Sequence, residues 1–315
     1  MLRAIANTDQ MKKTPSVLPT AKNFLALEKK YSSYENSKIV IVQAPYEKTV
    51  SYGKGTAKAP AAIINASQYV EFFDDEFFQE ICFKQGIATL PALAYGTKSG
   101  KAALDLLQKS VGEQIDADKF VVTLGGEHSI STAPIAAHFE RYPKMSVLHF
   151  DAHSDLRDSY SGTRYSHASF MARVADETLF PMERVVQVGI RAQCKEEHEF
   201  IKKNNIKTFY ATEIRRGKHT ANWQQKIAKS LPTNEVYITF DVDYFDPSIL
   251  PTTGTPEPDG FLWNETMQIF RELQKAGKTI IGFDVVELVP NSAQQHATYL
   301  VAKLVYRMLN FAFAK

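Results

Sequence analysis

The chain has 315 residues, of which 44% are apolar and 23% charged, with a formal charge of +2; this balance excludes intrinsic disorder and a fibrous architecture. The near-neutral charge and the absence of a Lys/Arg-rich block argue against a nucleic-acid partner, because phosphate binding calls for a concentrated basic face. Cys82 and Cys194 stand outside any CxxC spacing, so no disulfide framework or thiolate zinc site is indicated, and with no signal peptide or membrane-length apolar run the expected setting is a soluble, cytoplasmic protein with no membrane partner.

In chain order, residues 1–37 carry no functional signal and read as an N-terminal arm or leader ahead of a single catalytic domain, 38–315. Runs rich in Val, Ile and Phe predict strands at 38–43 (KIVIVQ), 120–124 (FVVTL), 145–150 (MSVLHF), 184–189 (RVVQVG), 235–240 (EVYITF) and 279–283 (TIIGF). Helical segments alternate with them, for example 59–67 with Pro60 in its first turn and 296–314 near the C-terminus. That alternation is the signature of βαβ units on a parallel sheet. SYGKGT misses the GxxxxGK[ST] pattern and reads as a glycine turn before a helix, not a phosphate loop.

Most of these strands run straight into acidic or histidine residues: LGGEHS, HFDAHSD, TFDVDYFD and GFDVVEL. In open parallel sheets ligands bind beyond the carboxyl ends of the strands, so these residues are expected to share one site. Gly125 and Gly126 are expected to let the backbone turn before His128, and 253–256 (TGTP) to form a tight loop. Side chains alternate along an extended segment, so Asp151, His153 and Asp155 can point to one side, as can Asp241 and Asp243; His128 makes a sixth donor.

Four carboxylates in a dry crevice repel one another and lose hydration, which calls for cations between them. Two divalent ions balance the four negative charges, and a bridging hydroxide then leaves the site at minus one, which suits a cationic substrate. Oxygen and imidazole donors without thiolate favour Mn²⁺, with iron, cobalt, nickel and zinc as alternatives. A single Asp at a strand end is ordinarily a turn former; the joint occurrence of GGxH, DxHxD and DxD carries the metal reading. His149, in strand register with Asp151, is expected to be a buried supporting or core histidine and not a seventh ligand, Glu127 to lie beside the site, and His138, His198, His219 and His296 lack partners at ligand spacing.

GGEHS, DAHSD, SHAS at 166–169, DVDYFDPS followed by TGTP, and VVEL occur in the order found in the ureohydrolase family of arginases and agmatinases. With APYEKTVSYGKGT the resemblance runs from about Ile39 to the C-terminus, and it is greatest to agmatinases. The resemblance implies a three-layer αβα, arginase-like fold around a central parallel sheet, two Mn²⁺ per subunit, hydrolysis of a guanidino group to urea and an amine, and homo-oligomers, trimers or hexamers. It implies that His128, Asp151, Asp155 and Asp241 surround one metal, that His153, Asp151, Asp241 and Asp243 surround the other, and that Asp151 and Asp241 bridge them. His167 resembles the family's proton-shuttling histidine, Glu287 the carboxylate that pairs with the guanidinium, and Thr255 the hydroxyl that helps position it.

Arg157 stands where arginases have an asparagine, and Ala192 follows Gly189-Ile190-Arg191 where they place an acidic residue. This favours agmatine, cleaved to putrescine and urea in polyamine biosynthesis, over arginine. A guanidinobutyrase or other guanidino-acid ureohydrolase is the nearest alternative, then arginase. Deacetylases share a DxH motif but need a histidine pair that this sequence lacks; metallophosphoesterases use related motifs in the opposite chain order. A metal-bound, non-catalytic subunit is the remaining reading.

Overall fold

The structure, a computed structural model, describes residues 14–219 and 221–314. Eight strands form one sheet: β1 (Ile39–Ala44), β2 (Ile87–Thr89), β3 (Phe120–Gly125), β4 (Ser146–Phe150), β5 (Val185–Val188), β6 (Lys207–Phe209), β7 (Glu235–Asp241) and β8 (Thr279–Val286). Every pairing is parallel and the order is β2-β1-β3-β8-β7-β4-β5-β6. The six predicted strands are all present. β2 and β6 went unpredicted because three residues are too few to establish a period.

Alternation along each strand sorts its side chains onto two faces. Ile39 and Ile41 of β1, with Phe120 and Val122 of β3, join one core that also takes residues from the helices Ala59–Ser67, Trp263–Lys275 and Gln295–Phe313. Val40 and Val121 face the opposite layer, where the helices Lys101–Asp116 and Thr132–Arg141 pack. The result is the expected three-layer arrangement. Burial on both faces explains why the strands read as nearly continuous apolar runs. Each fully buried Val, Leu or Ile contributes about 1.5–3 kcal/mol relative to exposure, and Val301, Leu304, Val305 and Leu309 of the last helix are all sealed.

Residues 1–13 of the expected N-terminal arm lie outside the described residues. From 14 to 37 the chain lies against the β2 side of the sheet: Leu18 N donates to Thr89 O (2.8 Å), Phe24 N to Thr89 Oγ1 (3.0 Å) and Leu25 N to Ser67 Oγ (2.8 Å). Phe24, Leu25 and Leu27 are buried in the core.

Candidate metal centre and cleft

The chain enters the sheet at β1 to β3, crosses to β4, and returns through β7 and β8 to the gap beside β3. The four adjacent central strands β3, β8, β7 and β4 therefore deliver their carboxyl ends to one crevice. Register aligns them: Leu124 pairs with Val285, Phe240 with Val285 and Phe150 with Phe240. His128 follows β3, Asp151, His153 and Asp155 follow β4, Asp241 ends β7 with Asp243 just beyond, and Glu287 follows β8.

Neither DxHxD nor DxD gathers its side chains by simple strand alternation. Asp241 closes β7 and Asp243 sits in a short 3-10 turn, with Asp243 N donating to Asp241 Oδ1 (2.8 Å). Asp151 repeats the device, accepting His153 N on Oδ1 (2.6 Å), while Asp155 adopts a left-handed φ of 51°. Carboxylates that bond a backbone N–H two residues on stabilise such turns, so the irregular chain presents more donors to one point than a flat strand could. Gly125 ends β3 and the chain bends at Gly126, as expected, with a positive φ at neither. They are needed for space, because a Cβ on Gly126 would lie 1.9 Å from Tyr46 O and one on Gly125 2.6 Å from Val286 Cγ1.

His128 Nδ1 is buried without a hydrogen bond and lies 3.1 Å from Asp151 Oδ2, 3.2 Å from Asp155 Oδ2 and 3.2 Å from Asp241 Oδ2. Its other nitrogen identifies the tautomer. Thr239 Oγ1 donates to Asp284 Oδ1 (2.8 Å), so it accepts from His128 Nε2–H (3.0 Å), leaving a lone pair on Nδ1. A nitrogen lone pair and three carboxylate oxygens facing one point fit a cation. Burial, and beyond it the neighbouring carboxylates Asp243 and Asp151, push the Asp241 carboxyl well above its usual range, and burial with Asp151 pushes Asp155 up to about 6; a bound cation opposes both effects. A second group adjoins the first: His153 Nδ1 lies 2.9 Å from Asp243 Oδ2 and 3.5 Å from Asp151 Oδ1. Asp151 thus faces both groups with different oxygens.

His149 is buried behind the cluster. Gln187 Oε1 accepts from Thr208 (3.1 Å), so its amide Nε2 donates to Ser154 O (2.9 Å) and to His149 Nδ1 (3.1 Å). His149 Nε2–H then donates to Asp151 Oδ2 (2.7 Å), which leaves this imidazole no lone pair for a metal.

The cleft above the cluster, about 420 Å³, is lined by His153, Asp155, His167, Asp241, Asp243, Thr255 and Glu287, and also by Arg157, Tyr160, Arg191, Ala192 and Glu257. Glu287 is buried and has a left-handed φ of 65°; its Oε1 accepts His128 N (2.6 Å). Its backbone is tied to Gly126 O (2.9 Å) and Thr253 Oγ1 (3.0 Å). Burial holds its carboxyl well above the usual range, the more so beside Glu127 and Asp243.

The loop of APYEKTVSYGKGT also reaches the cleft, a role that sequence reading did not assign. Glu127 accepts Lys48 N (2.5 Å), Thr49 N (2.6 Å) and Thr49 Oγ1–H (2.7 Å), placing it beside the cluster. Thr49 Oγ1 in turn accepts His167 N (3.0 Å) and lies 3.2 Å from His167 Nδ1. A proton on Nδ1 completes that contact and leaves His167 Nε2 with the free lone pair. Burial, opposed by Glu127 and reinforced by His153 and His128, lowers the His167 pKa and favours the neutral ring. Asp284 is a further support that the sequence showed only as an acid in GFDVVEL: it is buried and accepts Ser131 (2.8 Å), Thr239 (2.8 Å) and Tyr237 (2.8 Å) hydroxyls.

The sequence model described as the Arginase family matches residues 37–310. An N(1)-aminopropylagmatine ureohydrolase of Synechocystis sp. is 35% identical over 92% of this chain and 94% of that one. An agmatinase of Bacillus cereus is 33% identical over 89% and 94%. Among solved structures, the agmatine ureohydrolase of Thermoplasma volcanium superposes with a TM-score of 0.80 at 27% identity, covering 92% of this chain and 94% of that one.

Proposed function

The chain belongs to the arginase family, whose hydrolases are metal-dependent, and on that premise we propose that it hydrolyses agmatine to putrescine and urea. The observation that carries the reading is the convergence of the His128 Nδ1 lone pair with three carboxylate oxygens beneath a cleft lined by Glu287, Thr255 and His167. The proposed ligands are His128, Asp151, Asp155 and Asp241 for one cation and His153, Asp151, Asp241 and Asp243 for the other, with Mn²⁺ first among the metals that suit such donors.

When bound, the cations supply Lewis acidity, which can lower the pKa of water from about 15.7 to roughly 7. The protein's own groups deal with the substrate. A guanidinium carbon is resonance-stabilised and a poor electrophile, so its plane must be fixed relative to the attacking oxygen. Glu287 serves for this: each carboxylate oxygen has two acceptor positions, so the bond from His128 N leaves capacity for a guanidinium N–H on each oxygen. The cationic substrate also offsets the burial that disfavours the Glu287 charge. Thr255, which lines the same cleft, positions the same group. The departing amine needs a proton, and His167, held by Thr49 with Nε2 free, is placed to relay it.

We propose further that it works in the cytoplasm as a homo-oligomer, trimeric or hexameric; no helix among the described residues is long and apolar enough to cross a membrane. The test is urea release by the purified, manganese-loaded protein from agmatine, N(1)-aminopropylagmatine, arginine, 4-guanidinobutyrate and 3-guanidinopropionate. Agmatine is expected to give the highest kcat/KM. Silence with all five sinks the reading; preference for the aminopropyl compound would assign the chain the activity in its Synechocystis relative's name.

A further inference from the structure

The charges lining the cleft are unevenly committed. Asp155, Asp241 and Asp243 belong to the metal cluster and Glu287 to the guanidinium position. Glu197 accepts Leu156 N (3.0 Å) and Cys194 N (2.7 Å) and stands 3.8 Å from Arg157 Nε. Arg157 is thereby partly neutralised, and its guanidinium lies over the Tyr160 ring at 5.2 Å. Arg191 is spent on backbone: it donates to Gly189 O (3.1 Å), Asp243 O (2.7 Å) and Glu257 O (2.9 Å).

Glu257 differs from the rest. Its main chain is fixed by Arg191 to the turn that carries Asp243, yet its carboxylate accepts no hydrogen bond from any described residue. The side chain is 38% exposed at the cleft wall, with Oε1 4.0 Å from His153 Nε2. Ala192, which pairs with His153 in an isolated bridge, adds no charge to this wall.

We propose that Glu257 recognises the distal ammonium of the substrate, so that the cleft selects alkylguanidines carrying an amine over those ending in a carboxylate. The inference rests on the cleft being that of a guanidino hydrolase. Glu257 then offers the wall an anion that no hydrogen bond from a described residue occupies, whereas the Arg157 charge stands 3.8 Å from the Glu197 carboxylate; such a site attracts an ammonium. Glu257 lies at the cleft wall 4.0 Å from His153 Nε2 and makes no hydrogen bond to Glu287 or to the proposed ligands, so it acts on binding and positioning of the chain.

The test compares agmatine, n-butylguanidine and 4-guanidinobutyrate on the manganese-loaded protein and on E257Q and E257D, with metal content measured in each. The natural protein is expected to favour agmatine over n-butylguanidine by about tenfold to a hundredfold in kcat/KM, the range of a charged hydrogen bond. E257Q is expected to raise KM for agmatine by a similar factor, to collapse that preference and to keep its metal; E257D is expected to restore part of it. Equal kcat/KM for agmatine and n-butylguanidine in the natural protein, or an unaltered preference in E257Q, overturns the inference while leaving the guanidino-hydrolase reading intact. Urea from none of the three overturns both.

Discussion

Asp241 serves two neighbours at once, accepting Asp243 N on Oδ1 and facing the His128 Nδ1 lone pair with Oδ2. Asp241→Asn keeps the size of the side chain but removes the charge that a cation between these groups requires. We expect it to lose bound metal and urea production together, by more than the roughly tenfold to hundredfold that loss of an outer partner costs; full metal occupancy by elemental analysis would refute the ligand assignment. His167 poses the opposite case. It makes no contact with the cluster and is held from the side by Thr49 and Ser166. His167→Ala is therefore expected to keep both metals and lower kcat about 10²–10⁴-fold. Undiminished turnover would remove it from the proton relay.

Among the elements, β8 depends on a glycine that no sequence motif singles out. Gly282 lies beneath His138 of the helix Thr132–Arg141, and an added Cβ would stand 2.2 Å from His138 Nε2. That ring cannot easily retreat: Nδ1 donates to Pro134 O (2.7 Å), and its face meets Tyr237 at 4.6 Å. A β-bulge at the same level offsets β8 against β7, pairing Val236 with Ile280 and Tyr237 with Gly282. Gly282→Ala is expected to cost about 1–3 kcal/mol through overpacking, read as a lower urea midpoint with an unchanged m-value. A midpoint equal to that of the natural protein would show that the helix can shift at no cost. Asp284 lies two residues farther along β8, so the same change is expected to disturb the support of His128 through Thr239.

For the molecule as a whole, the cluster joins the ends of β3, β4 and β7, so cation binding and folding are linked. Carboxylates with raised pKa values in the metal-free fold oppose one another, and a ligand that binds only the native state stabilises it by about 2.7 kcal/mol at a hundredfold excess over Kd. Chelation is expected to lower Tm and readdition of Mn²⁺ to restore it; an unmoved Tm would mean that no cation is held there. The sequence by itself determined six of the eight strands, the parallel sheet and the residue types at the strand ends, because apolar periodicity and motif order are local properties of the chain. Tertiary structure alone decided the short outer strands, the turns that aim Asp151 and Asp241, the histidine tautomers, Thr49 beneath His167 and the uncommitted carboxylate of Glu257. Each of these depends on which groups meet across distant segments, as when His128 N donates to a carboxylate 159 residues away, and proton positions and spare charge follow only after such partners are in place.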